Sequence, residues 1–317
     1  MLRLTLLLAI GTSLSASPTA RALDPDALSA RYRSWHYYPT WIIPPSCMNA
    51  GTCTNTTPGA AGGTTDVFTL WTTPDSPGLF RAVYLQMDSV GYETYMATST
   101  DMLTFNLSEP TLAPGQPGVI FSPRAGRPPL HDTKPVPGAF DYGGITFIGP
   151  LLENYTVGAP AVLKRSTRGR FWYAYGAYPL PGYETPPGAD GMASSLDGLN
   201  WERETAYPLL DSVAAHGAGT WERQSVYAPF LFPRLGGGLG DMYNAAAESG
   251  RESSGAAYLP GGEADLPGWD VAANASLWVR DAANPLLPDD ANATYQAADP
   301  KVYWDAQQGV WIMIYFW

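Results

Sequence analysis

The chain has 317 residues, with 18 basic against 29 acidic side chains, a formal net charge of −11, and 45% hydrophobic and 13% aromatic content. That apolar share is ample for a packed core, and the acidity argues against nucleic acid or an anionic membrane surface as partner. Spread along the length, 33 glycines and 30 prolines would break helices repeatedly, while 19 tyrosines and 11 tryptophans sit in the short alternating runs that strands favour; an all-β protein is expected.

The first 22 residues have the parts of a secretory signal peptide: a basic start at Met1-Leu2-Arg3, an apolar run from Leu4 to Ile10, and an A-x-A site at Ala20-Arg21-Ala22. A buried N-terminal strand is the alternative. No segment reaches the roughly 20 apolar residues of a membrane span. Removing Arg3 and Arg21 leaves 16 basic against 29 acidic residues, a charge near −13. Residues 23–65 read as an irregular strap. It holds an aromatic cluster (Trp35, His36, Tyr37, Tyr38, Trp41) and then Cys47 and Cys53, the two cysteines of the chain. Their closeness suits a loop-closing disulfide, and no nearby His or Cys completes a metal site. N-x-[S/T] sequons stand at Asn55, Asn106, Asn154, Asn274 and Asn292. Behind a signal peptide they point to a glycosylated protein, secreted or in the secretory pathway.

From Asp66 strands follow at 66–71, 79–87, 92–99 and 103–105, an antiparallel meander. A second set covers 140–148, 169–175 and 189–195. A third covers 225–232 and 240–245, then a polar Gly/Glu/Ser stretch over 247–267, then 275–280 and 284–287. The last set has a strand at 298–304, a turn over 305–309 and an apolar strand over 310–317. Trp201-Glu202-Arg203 with Pro208-Leu209-Leu210 is echoed by Trp278-Val279-Arg280 with Pro285-Leu286-Leu287.

One seven-residue pattern occurs twice. Ser99-Thr100-Asp101-Met102-Leu103-Thr104-Phe105 and Ser195-Leu196-Asp197-Gly198-Leu199-Asn200-Trp201 both read S-x-D-x-L-x-[F/W]. Ser and Asp side chains bond backbone groups two residues on and close a turn, after which Leu and an aromatic resume a strand. Asp101 and Asp197 are therefore structural. Four-stranded sheets with one turn motif per sheet are the signature of a β-propeller; a β-sandwich gives no reason for the repeated turn. A chain ending inside an apolar strand would expose an apolar edge, so the sequence is expected to be truncated in blade four.

Several phrases together resemble the five-bladed propeller glycosidases, families 43 and 32 and their relatives, of arabinanase and invertase type. The run from Tyr84 to Phe105 resembles the outer strands of one of their blades. Tyr227-Ala228-Pro229-Phe230 resembles their W-A-P strand. Ala298-Asp299-Pro300-Lys301-Val302-Tyr303-Trp304 with Trp311-Ile312-Met313 resembles their D-P-x-[F/V] strand and its hairpin. The resemblance spans 66–317 and implies a five-bladed fold and cleavage of a glycosidic bond, or its transfer, between two carboxylic acids on the propeller axis. The invertase phrase W-M-N-D-P-N-G is absent, so sucrose or fructan specificity is not supported.

Four acids open blades. Asp299 matches the family's acid-modulating or transition-state-contacting aspartate; its alternative is a strand cap before Pro300. Asp66 is a candidate base or nucleophile, against a solvated loop acid. Asp141 competes with it, against a turn role before Gly143-Gly144. Glu222 is a candidate proton donor, against an ion pair with Arg223. Trp221, Tyr227 and Trp35 are candidates to stack on sugar rings, the other aromatics being blade packing. His36, His131 and His216 are too scattered for a metal, no G-x-S-x-G elbow is present, and no phosphate-binding glycine loop is present. A monomer without cofactor is expected. Three readings compete: a secreted glycosidase, a non-catalytic carbohydrate-binding propeller, and a propeller scaffold that binds protein.

Overall fold

The structure is a computed structural model that describes residues 65–88, 91–106, 119–121, 138–166, 169–180, 185–204, 208–212, 221–234, 238–247, 251–259, 278–288, 297–307 and 309–316; for 65–68, 85–88, 91–93, 119–121, 147 and 316 it describes the backbone alone. Among the described residues there are fifteen strands and no helix, and so no helix long and apolar enough to cross a membrane.

The strands form successive antiparallel sheets in chain order. The first joins β1 (Thr65–Thr73), β2 (Ser76–Asp88), β3 (Gly91–Ser99) and β4 (Val119–Phe121). The second joins β5 (Gly144–Pro150), β6 (Phe171–Tyr178), β7 (Ala189–Ser195) and β8 (Glu202–Arg203), with β9 (Leu210–Asp211) also on β7. The third joins β10 (Ser225–Pro233), β11 (Leu239–Ala246), β12 (Glu252–Leu259) and β13 (Val279–Arg280), and Leu287 bridges to Ser254 of β12. The fourth pairs β14 (Ala298–Asp305) with β15 (Val310–Phe316). The echoed Pro-Leu-Leu phrases are thus a split outer edge, laid along the third strand in both blades.

First strands neighbour one another in chain order, β1 on β5, β5 on β10 and β10 on β14, which stands the sheets side by side like blades. Parallel bridges lace the blades together: Thr72 to Val162 and Gly188 to Ser225 join neighbours, and Thr156, between β5 and β6, reaches Trp304 of β14 in the fourth sheet. A strand whose blade is flanked by two others is covered on both faces, so β6, β7 and β11 are buried along their whole length, and apart from Asp190, Asp241 and Asn244 their residues are apolar or small rather than alternating. Trp71 of β1 meets Trp201 edge-on at 6.0 Å, and Tyr155 meets Phe230 at 5.8 Å. Each such fully buried side chain stabilises by roughly 1.5–3 kcal/mol relative to exposure.

The repeated turn has the expected chemistry. Ser99 Oγ accepts from the Met102 amide at 2.9 Å, and Asp101 Oδ1 accepts from those of Leu103 and Thr104 at 2.8 and 2.7 Å. Ser195 Oγ accepts from Gly198 at 2.9 Å, and Asp197 Oδ1 from Leu199 and Asn200 at 2.8 Å each. Both turns need a left-handed residue at the same place, Met102 at φ 61° and Gly198 at φ 73°. The amides hold the Asp101 carboxyl down, to about 2.

Two strand expectations are corrected. Residues 103–105 complete the turn; pairing resumes only at Asn106 with Thr98, and the fourth strand is β4. The polar stretch after residue 247 contains β12, whose Ser253 and Ser254 are buried in the ladder. Its small polar residues fit a packed seam that larger side chains would not.

Candidate functional site

Two of the four candidate acids are turned into the body of their own blades. Asp141 Oδ2 lies 2.9 Å from Arg203 Nε and accepts from the Tyr175 hydroxyl at 3.1 Å. Glu222 Oε2 lies 2.6 Å from Arg280 Nε, and its Oε1 accepts from the Tyr243 hydroxyl. The two constellations match part for part. Each acid lies three residues before a first strand, each tyrosine is on the second strand, and each arginine ends a W-x-R phrase on the outer strand. The residue before each acid stacks on that tyrosine: Phe140 on Tyr175 at 6.3 Å, Trp221 on Tyr243 at 5.7 Å. A glycine on each third strand makes the room. A Cβ on Gly191 would lie 2.5 Å from the Tyr175 ring, and one on Gly255 2.4 Å from that of Trp221.

This aromatic–acid–tyrosine–arginine clasp ties the start of a blade to its outer edge. Arg280 also donates to the Asp211 carbonyl at 2.8 Å, so the clasp of the third blade grips the second. Burial pushes the Asp141 carboxyl up, against the Arg203 guanidinium and the Tyr175 hydroxyl, which pull it down. Glu222, a candidate proton donor with an ion pair to Arg223 as the alternative, is paired with Arg280, because the outer strand brings a guanidinium over the blade.

Beside the third blade's clasp lie two further acids that sequence reasoning passed over. Asp190 of β7 and Asp241 of β11 are both 0% exposed. Asp241 Oδ1 accepts from the Phe230 amide at 3.0 Å, while neither Asp190 oxygen has a hydrogen-bond partner among the described residues. Burial first, then the neighbouring Asp241, pushes Asp190 well above the usual carboxylate range; burial likewise raises Asp241. A carboxyl so placed holds its proton.

The other two candidates stand at the end where the first strands begin. Asp66 is the second residue of β1, its backbone paired with Leu85, and of Asp66 the backbone alone is described. Asp299 is the second residue of β14 and half-buried. Each first strand carries a register irregularity close to this end, between Val67 and Thr69, Thr146 and Ile148, Tyr227 and Phe230, and Ala298 and Lys301. A bulge re-aims a side chain. In β10 and β14 it sets Ala228 and Asp299, each before a proline, in the left-handed region at φ 54° and 52°. The fold therefore repeats the kink, and β14 puts a carboxylate on it. Burial pushes the nearby Lys301 ammonium down, with Asp299 opposing.

A polar seam joins this end of β14 to the third blade. The Ala297 amide donates to the Glu252 carbonyl at 3.3 Å, and Ser254 Oγ donates to the Ala297 carbonyl at 2.7 Å. The Asn244 amide nitrogen donates to the carbonyls of Ser253 at 2.9 Å and Ala297 at 3.1 Å, which turns its Oδ1 onto the Tyr227 hydroxyl at 3.2 Å. That hydroxyl is also hydrogen-bonded to Glu252 Oε1. Tyr227 is 3% exposed, so its ring has no face to offer a sugar, and its expected stacking role gives way to one for its hydroxyl. Trp221 is spent on the clasp. Glu252 sits in the polar Gly/Glu/Ser stretch, where β12 begins.

Among the described residues no group of three or more His, Cys, Asp or Glu could hold a metal ion. Asn106 and Asn154 are exposed. Trp35, Cys47, Cys53, Asn55, Asn274, Asn292 and the 1–22 leader lie outside the described residues.

No protein-family model and no curated protein matches the chain. Solved structures do match. A complex of BT0996 with RGII superposes with a TM-score of 0.58 at 22% identity, over 81% of this chain and 67% of that one. A thermostable family-43 glycoside hydrolase gives a TM-score of 0.46 at 15% identity over 78% and 63%. An endo-arabinase from Bacteroides thetaiotaomicron gives 0.43 at 14% over 78% and 68%. The chain spans about two thirds of the length of these structures. At 22% identity and a TM-score of 0.58, the likeness to the BT0996 structure is one of fold.

Proposed function

We propose that the chain is a glycoside hydrolase whose site lies where the first strands begin, with Asp299 contacting the sugar at the scissile bond and Asp66 serving as base or nucleophile. The observation that carries this reading is the Asp299 backbone. A non-glycine residue held at φ 52° before proline costs of order 1–3 kcal/mol, and such strain collects at functional sites. Ala228 shows that the kink belongs to the fold, so the carboxylate on it is what β14 adds.

Glycosidic cleavage needs one acid to protonate the leaving oxygen and a second group to act on the other side of the sugar. Asp141 and Glu222 do not serve in this reading; their carboxylates hold the clasps. The leader at 1–22 and the exposed sequons at Asn106 and Asn154 support a secreted glycoprotein, the protein taking a carbohydrate partner.

A second reading, a propeller that binds carbohydrate without cleaving it, draws on the engagement of two of the four blade-opening acids in clasps. Incubation with arabinan, xylan and a panel of aryl glycosides separates the two. Hydrolysis by the wild-type chain, lost in Asp299→Asn at unchanged melting temperature, supports the first. Retention on an immobilised polysaccharide without release of sugar supports the second.

A further inference from the structure

We propose that Lys301 is a positioning residue for Asp299, its ammonium supplying the positive charge that keeps the carboxylate on the β14 kink ionised; the proposal rests on the hydrolase reading. The two residues stand on either side of Pro300, so their α-carbons lie within about 7 Å of each other. The register of β14 slips between Ala298 and Lys301, and regular pairing returns at Lys301, opposite Ile314. Its Nζ lies over the Phe230 ring, 5.5 Å from the centroid, a contact that attracts a cation. Phe230 is 4% exposed and is where β10 resumes its own pairing after its kink. Tyr155 and Tyr303 meet that ring edge-on at 5.8 and 5.7 Å, which fixes the face that carries the ammonium. The lysine is thus held against β10 beside the kink that bears Asp299.

Electrostatics agrees with the placement. Burial pushes the ammonium towards losing its proton, and Asp299 is the charge that opposes the loss. The attraction is mutual, since whatever keeps a proton on Lys301 keeps one off Asp299, and a buried pair is screened less than one in water. The titratable groups on the strands packed against β14 are Tyr227 on β10, Asp241 and Tyr243 on β11, Glu252 and Tyr258 on β12, and Tyr315 on β15; β14 itself adds Tyr303 and Asp305. Burial raises Asp241, and Asp305 lies at the far end of β14, where its Oδ1 accepts from the Gln307 amide at 2.9 Å. Positive charge develops on the sugar as the glycosidic bond breaks. A carboxylate that contacts the sugar there helps only while ionised, so Lys301 sets how far into acid Asp299 stays useful.

The test compares wild type with Lys301→Met, which keeps the apolar stem and removes the charge, and Lys301→Arg, which keeps the charge. Two readouts are taken against pH: the carbon-13 carboxyl resonance of Asp299, assigned by its loss in Asp299→Asn, and kcat/KM on aryl glycosides. In Lys301→Met the Asp299 titration midpoint should rise by about one pH unit, and the acidic limb of the kcat/KM profile should rise with it. Lys301→Arg should return both towards wild type. The melting temperature of Lys301→Met should equal or exceed that of wild type, because a desolvated ammonium has been removed. A midpoint that does not move, or one that moves as far in Lys301→Arg as in Lys301→Met, overturns the role of Lys301 while leaving the hydrolase reading standing. A shifted midpoint in a chain whose wild type cleaves no glycoside overturns the hydrolase reading and the reaction role together.

Discussion

Arg203→Met cuts the second blade's clasp while keeping the aliphatic stem that packs along the strand. It strands the Asp141 carboxylate, 1% exposed, with the Tyr175 hydroxyl at 3.1 Å as its remaining named partner. Removing one member of a buried ion pair costs about 3–5 kcal/mol. Protonation sets a ceiling on that loss. Neutralising a carboxyl of ordinary pKa, about 4, at pH 7 costs about 1.4 kcal/mol per unit, or about 4 kcal/mol. The expected loss is therefore about 3–4 kcal/mol at pH 7 and about 1 kcal/mol at pH 5. The sign follows from linkage. With Arg203 gone, the folded pKa of Asp141 rises further above its unfolded value, so folded protein keeps a proton that unfolded protein has lost, and stability falls as pH rises through that window. Urea unfolding at the two pH values reads the difference. The Asp141→Asn, Arg203→Met pair should recover most of the loss, because no charge is left buried. A loss below about 1 kcal/mol at pH 7, set against the 3–5 kcal/mol of a buried pair, or one independent of pH, would refute the clasp.

Asp190→Asn should stabilise the protein, more at pH 7 than at pH 4, since the raised Asp190 carboxyl weakens the fold only above its unfolded pKa; urea midpoints at the two pH values check this. Gly255→Ala should cost about 1–3 kcal/mol through overpacking and change the near-ultraviolet dichroism, because the Trp221 ring must leave its place on the strand. Met102→Gly relieves a left-handed residue in an exposed turn and should raise the melting temperature, whereas Gly198→Met should lower it; the two turns are chemically alike, so equal effects would contradict the equivalence. Asp299→Asn should abolish hydrolysis at unchanged stability.

The turns were legible because every group in them comes from seven consecutive residues. Strand starts such as Ala189, Ser225 and Ala298 were legible for a similar reason, being marked by local composition. The clasps were not, since Glu222 and Arg280 stand 58 residues apart and only the blade brings them together; the W-x-R echo was visible, its ionic purpose was not. Strand β12 hid in glycine, serine and glutamate that read as solvated, and a packed seam selects the same small residues. The Tyr227 misreading has one cause as well: a tyrosine on a first strand can serve through its ring or its hydroxyl, and burial chose the hydroxyl.

The central claim is that the acids divide, Asp141 and Glu222 holding blades and Asp299 handling sugar. One measurement tests it directly: urea stability and turnover per folded molecule, side by side, for Asp141→Asn, Glu222→Gln and Asp299→Asn. The first two should lose stability and keep turnover, the last should keep stability and lose turnover. The reverse sorting, or turnover lost on neutralising a clasp acid in protein that remains folded, would contradict the account.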